Sequence, residues 1–117
     1  MIAVIFEVEP AEGQTDAYLA IAADLKPQLE AMDGFISVER FRSLARPDRL
    51  LSLSFWRDEA AVAAWRQTES HRHAQAAGRG HVFHDYRLRV ACVLRDYGMT
   101  NRAEVPADSR QVHDFPA

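Results

Sequence analysis

Residues 50–75 read LLSLSFWRDEAAVAAWRQTESHRHAQ, and the periodicity changes twice within them. Leu51, Leu53 and Phe55 alternate with Ser52, Ser54 and Trp56, the period-two pattern of a strand over Leu50–Trp56. Asp58 then offers an N-cap to EAAVAAWRQ, where alanines favour helix and Ala61, Val62 and Trp65 fall along its inner edge. Ser70 is placed to cap a second short turn that carries His71 and His73, and Gly78 and Gly80 end it. A strand feeding a capped helix, with an indole and two imidazoles behind it, sets the frame for the rest of the chain.

Upstream, Phe35 to Leu44 precedes the ARPDR turn at 45–49, so it pairs with Leu50–Trp56 as an antiparallel hairpin. Before it, Gly13 to Asp33 predicts a helix. Tyr18, Ile21, Leu25, Leu29 and Met32 recur at three- and four-residue spacing, which makes one apolar stripe. Thr15 or Asp16 can cap this helix, Gly34 can stop it, and Pro27 inside it predicts a kink. Met1 to Glu9 is β-branched and aromatic, a first strand with Ile2, Val4, Phe6 and Val8 on one face and Ala3, Ile5 and Glu7 on the other. Downstream, His81 to Asp85 reads as a connector. Tyr86 to Leu94 is a last strand in which Tyr86, Leu88, Val90 and Cys92 alternate with Arg87, Arg89 and Ala91.

The order is β-α-β-β-α-β, the ferredoxin-like arrangement within the α+β class: an antiparallel four-stranded sheet with both helices on one face. The uncovered face retains many apolar groups, and in a chain of 117 residues the expected cover is a second copy of the same sheet. A homodimer is therefore expected. Residues 1–97 form the domain on this reading. Residues 98–117 form a tail, flexible or laid on the partner subunit, with Val112 and Phe115 as possible anchors.

Composition narrows the function. The net charge of −3 leaves no concentrated basic surface for phosphates, so no nucleic-acid partner is expected. No apolar run reaches the roughly 20 residues of a membrane span, and Met1–Glu9 shows no basic n-region, so neither a membrane partner nor export is expected. Cys92 is the one cysteine, expected as a buried small hydrophobe, and with no disulfide to form the chain suits the cytoplasm.

The segments FWRDEAAVAAW (55–65), Ser70-His71 and VFHDYRLRV (82–90) carry a resemblance to the antibiotic biosynthesis monooxygenase family of the dimeric α+β-barrel superfamily. The N-terminal strand and GFISVERFRS (34–43) agree in type. The resemblance implies a homodimer whose sheets pack face to face as a dimeric α+β barrel, with a pocket in each subunit between sheet and helices. It also implies oxidation of an aromatic or polycyclic substrate, a phenol, hydroquinone or anthrone, by dioxygen without metal or flavin. A haem-degrading branch of the family is the alternative. Its members are similar in an asparagine on the first strand, a tryptophan on the second helix and a ligating histidine about ten residues later. Trp65 matches the tryptophan, but Phe6 and Gln75 occupy the other two places. A dimeric ligand-binding domain without catalysis is the other alternative.

The candidate catalytic residues are Trp65, as a wall that stacks a flat substrate, and His71, as a general base that needs a neutral imidazole. A helix N-terminus beside His71 would favour the neutral form. Phe6, Ser54, Trp56 and Tyr86 are the candidate substrate-binding residues. His73 lies two residues from His71 on nearly the opposite side of a helix, and His81 and His84 find no third ligand, so no metal site is expected. Arg87 and Arg89 share a side of the last strand, where one could pair across a dimer with Glu7, Glu39 or Asp85.

Overall fold

The structure, a computed structural model, describes residues 1–113, and at Ser70 and Gly78 the backbone alone. Strand β1 (Ile2–Pro10) leads through helix α1 (Thr15–Glu30) to the hairpin of β2 (Phe35–Arg42) and β3 (Leu50–Trp56). Helices α2 (Glu59–Arg66) and α3 (Glu69–Ala77) follow, then a π-type turn at Gly78–Val82, β4 (Phe83–Cys92) and α4 (Ala107–His113). The sheet runs β2-β3-β1-β4, antiparallel throughout, which is the ferredoxin-like order read from the sequence.

It is not a barrel. β2 and β4 are the two ends of the sheet and do not pair with each other, so the sheet stays open. Four strands are too few to close around a packed interior, for which about eight are usual. The expected dimeric α+β barrel is thereby corrected to an open α+β sheet with helices on one face.

Strand register sets the floor beneath those helices. One row crosses the sheet as Arg40–Ser52–Phe6–Leu88 and the next as Val38–Ser54–Val4–Val90. Above them lie two apolar clusters. Leu29 of α1 and Ala61, Val62 and Trp65 of α2 pack around Trp56, with Ile2, Val4 and Leu25 against them. Tyr18 packs with Val8, Leu50 and Val82, flanked by Phe6, Ile21 and Phe83. Each fully buried large side chain contributes about 1.5–3 kcal/mol, so these two groups hold the helices to the sheet. The opposite face carries Ile5, Leu51, Leu53 and Phe55, and there Arg89 Nη1 meets Glu7 Oε1 at 3.3 Å. That pairing of Glu7 with an arginine of β4 is made within one chain.

Helix ends follow their chemistry with two departures. Asp58 Oδ1 accepts from the Ala61 backbone N–H at 2.9 Å, as its position predicts for α2. α1 instead starts on Gln14 without any side-chain cap, so neither Thr15 nor Asp16 serves there; both lie inside the first turn. The helix continues through Pro27 to Glu30. Gly34 does not stop it directly. With φ at +86° it lets the chain turn under α2, where its carbonyl accepts from Arg57 N–H at 2.7 Å. Arg57 also forks onto Asp33 at 3.0 and 3.1 Å. α3 opens on Thr68, whose Oγ1 accepts from the His71 N–H at 3.2 Å; the side chain of Ser70, the expected cap, lies outside the described set. β4 begins at Phe83, three residues earlier than expected, because the π-type turn absorbs the connector.

Cys92 is exposed, contrary to expectation, because β4 is an edge strand and runs out beyond the helices. After it, Arg102 lies over the Tyr97 ring, Val105 is buried, and Val112 on α4 is exposed. Phe115 lies outside the described residues. No helix among the described residues is long and apolar enough to cross a membrane.

Candidate functional site

Between the sheet and the helices, and bounded by both apolar clusters, lies a cavity of about 220 Å³. The alternation of β3 puts Ser52, Ser54 and Trp56 on its floor and turns Leu51, Leu53 and Phe55 to the other face. Trp56 is buried within its own chain, and its Nε1 donates to Ser54 Oγ at 2.9 Å, which fixes the indole plane. Phe35 meets the same indole edge-on at 5.4 Å. Across β1, Phe6 gathers a ring cluster: Phe83 and Tyr86 lie 5.7 Å away and Tyr18 at 6.4 Å. Tyr86, Leu88 and Val90 project from β4 on this side, each more than two-fifths exposed, so the cavity opens at the β4 edge.

α2 and α3 supply the other wall. Trp65, on the buried edge of α2, and His71, in the first turn of α3, both line the cavity with ring centroids 5.3 Å apart and planes tilted by 56°. Thr68 joins them. Its hydroxyl donates to the Trp65 carbonyl at 2.8 Å and accepts from the His71 N–H, so one side chain sets the spacing of both rings. The His71 imidazole is held below its ordinary pKa, first by burial, then by the positive charges of Arg66 and Arg72. The neutral form is favoured, though by desolvation and cations rather than chiefly by the helix terminus.

All six candidate residues (Phe6, Ser54, Trp56, Trp65, His71 and Tyr86) thus line one cavity. His73 is exposed and outside the lining. Reading the sequence missed Arg40, Gln75, Leu88 and Val90 as wall residues. Strand parity pairs Arg40 with Val38, but parity alone does not tell which side the helices cover.

The sequence profile described as "Antibiotic biosynthesis monooxygenase" matches residues 1–77. The chain belongs to the antibiotic biosynthesis monooxygenase family. A curated relative, "Jasmonate monooxygenase ABM" of Pyricularia oryzae, is 53% identical over 118 residues, covering 100% of this chain and 55% of that protein. The chain therefore spans about half the length of the curated relative it matches. Among solved structures, a Mycobacterium tuberculosis protein superposes with a TM-score of 0.74 at 18% identity, covering 83% of this chain and 98% of that one. A Shewanella oneidensis protein gives 0.71 at 21% identity, with 77% and 87% covered. At such identities these two speak for the fold alone.

Within the family, the haem-degrading branch asks for an imidazole where this chain lines its cavity with Gln75. An amide is a poor axial ligand for haem iron, and the one imidazole in the lining, His71, is packed against Trp65. The residues do not fit haem. Among the described residues no three His, Cys, Asp or Glu side chains cluster closely enough to share a metal ion.

Proposed function

We propose that this chain is a monooxygenase whose substrate is a small, largely apolar molecule with one removable proton, bound between Trp65 and the sheet. The observation that carries the reading is the Trp65–His71 pair. A neutral imidazole and a flat apolar wall meet at 5.3 Å on one side of a cavity whose floor is serine and indole. His71 takes the proton, the apolar walls keep water from the resulting carbanion or phenolate, and the electron-rich substrate reduces dioxygen. For an activated methylene, one methylene and one dioxygen become one carbonyl and one water; for a phenol, one ring C–H and the phenolic O–H are lost, so phenol and dioxygen become a quinone and one water. In both cases the substrate gives up four electrons and two hydrogens, from two C–H bonds of the methylene or from one C–H and one O–H of the phenol. One oxygen atom enters the product as the carbonyl, and the other leaves with both hydrogens as water. A simple hydroxylation would instead draw two electrons from an added donor.

The cavity volume favours the smaller members of the expected substrate range. Pockets for drug-sized ligands run to about 300–1,000 Å³, and this one is below that. Hydroquinones and single-ring phenols fit this size better than polycyclic anthrones. Jasmonate, named for the Pyricularia oryzae relative, is the first non-aromatic compound to include. The test is oxygen uptake and incorporation of isotopically heavy dioxygen over such a panel, jasmonate being assayed with and without an added two-electron donor. One labelled atom per product molecule is expected for at least one compound, and uptake no faster than buffer for every compound sinks the reading.

The same reading includes self-association. The sheet face opposite the cavity, with Ile5, Leu51, Leu53, Phe55 and the exposed Phe41, suits a second copy of the chain. Light scattering at micromolar concentration should give twice the chain mass; a monomer removes this part. A single exposed thiol, Cys92, accords with a cytoplasmic setting.

A further inference from the structure

We infer that the cavity selects an apolar acid, and that Arg40 is the residue that receives its carboxylate. This rests on the proposed reading of the cavity as the substrate site. The chain as a whole carries more acidic than basic residues, 17 against 14, yet the cavity lining inverts that balance. Lys26, Arg40, Arg66 and Arg79 contribute to it, and no aspartate or glutamate does. Lys26 leans outward to Glu30 at 3.9 Å. Arg40 differs from the other cations in entering the floor itself, from the edge strand β2.

Arg40 Nε is buried without a hydrogen-bond partner, the one side-chain nitrogen or oxygen in that condition among the described residues. A buried guanidinium N–H left unpaired is destabilising, and its usual remedy is a carboxylate. The fork that a carboxylate takes up is two parallel N–H groups of the guanidinium, and Nε supplies one side of it. Ser52 stands directly across β3 from Arg40 and also lines the cavity, so a hydroxyl is available beside the same anion.

The rest of that row supplies the complement. From Arg40 and Ser52 it passes to Phe6 and Leu88, with strands about 4.8 Å apart, so its charged and apolar ends are separated by about 14 Å. An occupant with a carboxylate at one end and a hydrocarbon body at the other matches this polarity. A neutral molecule of the same body leaves Arg40 Nε unpaired, which is how a buried polar group discriminates between ligands.

The test compares jasmonate with methyl jasmonate, the same body with and without the charge. The readout is intrinsic fluorescence, because both tryptophans of the chain line the cavity, with calorimetry as a second measure. The acid should bind wild-type protein about tenfold or more tighter than the ester. Arg40→Gln should bring that ratio to near one while ester affinity stays within about threefold, which also reports an intact cavity. Arg79→Gln should leave the ratio unchanged. Equal binding of acid and ester to wild type overturns the proposal, and so does a preference that survives Arg40→Gln. A ratio that collapses in Arg79→Gln instead overturns the assignment to Arg40. If neither compound binds wild type, the proposal fails for this ligand class. If hydroquinones fail to bind as well, the substrate-site reading beneath it goes too. Should Arg40→Gln not fold, Arg40→Lys asks the same question. It keeps the charge but loses the fork, so the preference should shrink severalfold, and an unchanged preference overturns the proposal.

Discussion

The rings of Trp65 and His71 lie 5.3 Å apart although they belong to different helices, and the Thr68 hydroxyl bonds to the backbone of both residues. The indole shields the imidazole from water on one side, while Arg66 and Arg72 disfavour its protonation. If His71 is the base, His71→Gln should lower kcat by about 10²–10⁴-fold with the fold intact, measured by oxygen uptake beside circular dichroism. An undiminished kcat removes His71 from the chemistry. Thr68→Val should cost activity by a smaller factor, since it loosens both rings without deleting either.

The pH dependence follows from the same environment. The active form is the neutral imidazole, so activity should rise with pH to a plateau, with an apparent pKa under the ordinary value of about 6.5. Arg66→Gln removes a neighbouring positive charge and should move that limb to higher pH. Stability carries the same sign. A histidine whose folded-state pKa is depressed favours the native state fully above its unfolded pKa, and the contribution is lost as pH falls through the lower folded value. An acid limb that does not move in Arg66→Gln would assign it to another group.

Ser54 and Trp56 make a separable case. The indole N–H is buried and Ser54 Oγ is the partner that the structure gives it. Ser54→Ala should therefore destabilise the protein by about 1–3 kcal/mol, the cost of an unpaired buried donor, and Ser54→Thr should restore most of it. Urea unfolding decides this. A cost below about 0.5 kcal/mol for alanine would mean that the indole finds another acceptor.

Much of this arrangement is legible in the sequence alone, for identifiable reasons. Alternation in LLSLSFW separates Ser52, Ser54 and Trp56 from Leu51, Leu53 and Phe55, and the Asp58 cap phases α2 so that Ala61, Val62 and Trp65 turn inward. Both signals are local. What escaped is non-local. Parity places Arg40 with Val38 but cannot say that the helices cover that side, and it cannot tell that β4 ends the sheet and leaves Cys92 and Val90 exposed. The uncapped start of α1 escaped because Thr15 and Asp16 both have cap chemistry, while the helix begins one residue too early to use Thr15 and two too early to use Asp16. The barrel was an inference about a second sheet, and no residue of one chain encodes closure by itself.

The open edge of the cavity gives a steric prediction. Val90 lies across from Val4 in the floor row, yet 47% of its surface is exposed. A larger side chain there has room to sit, so Val90→Trp should change stability by no more than about 0.5 kcal/mol. The added rings would nonetheless lie over the cavity mouth. KM should rise by roughly tenfold, with kcat for the molecules that do bind less affected, since a pocket narrowed without touching the base loses binding more than chemistry. A KM unchanged by the indole would show that substrate enters elsewhere.

Gly34 supplies the sharpest test of the packing. Gly13 and Gly34 both have positive φ, at +75° and +86°, but a Cβ on Gly13 meets nothing within 4 Å while one on Gly34 falls 2.6 Å from Ala61 Cβ. Gly13→Ala incurs only the left-handed backbone cost, about 1 kcal/mol. Gly34→Ala adds to that the clash with the first turns of α2, and should cost about 2–4 kcal/mol. Ala61→Gly on its own weakens the helix by about 1 kcal/mol. Combined with Gly34→Ala it removes the colliding atom, so the double variant should be less destabilised than the sum of the two single ones. Additive losses in denaturant titrations would mean that α2 can shift away from the turn, and with it the wall that holds Trp65.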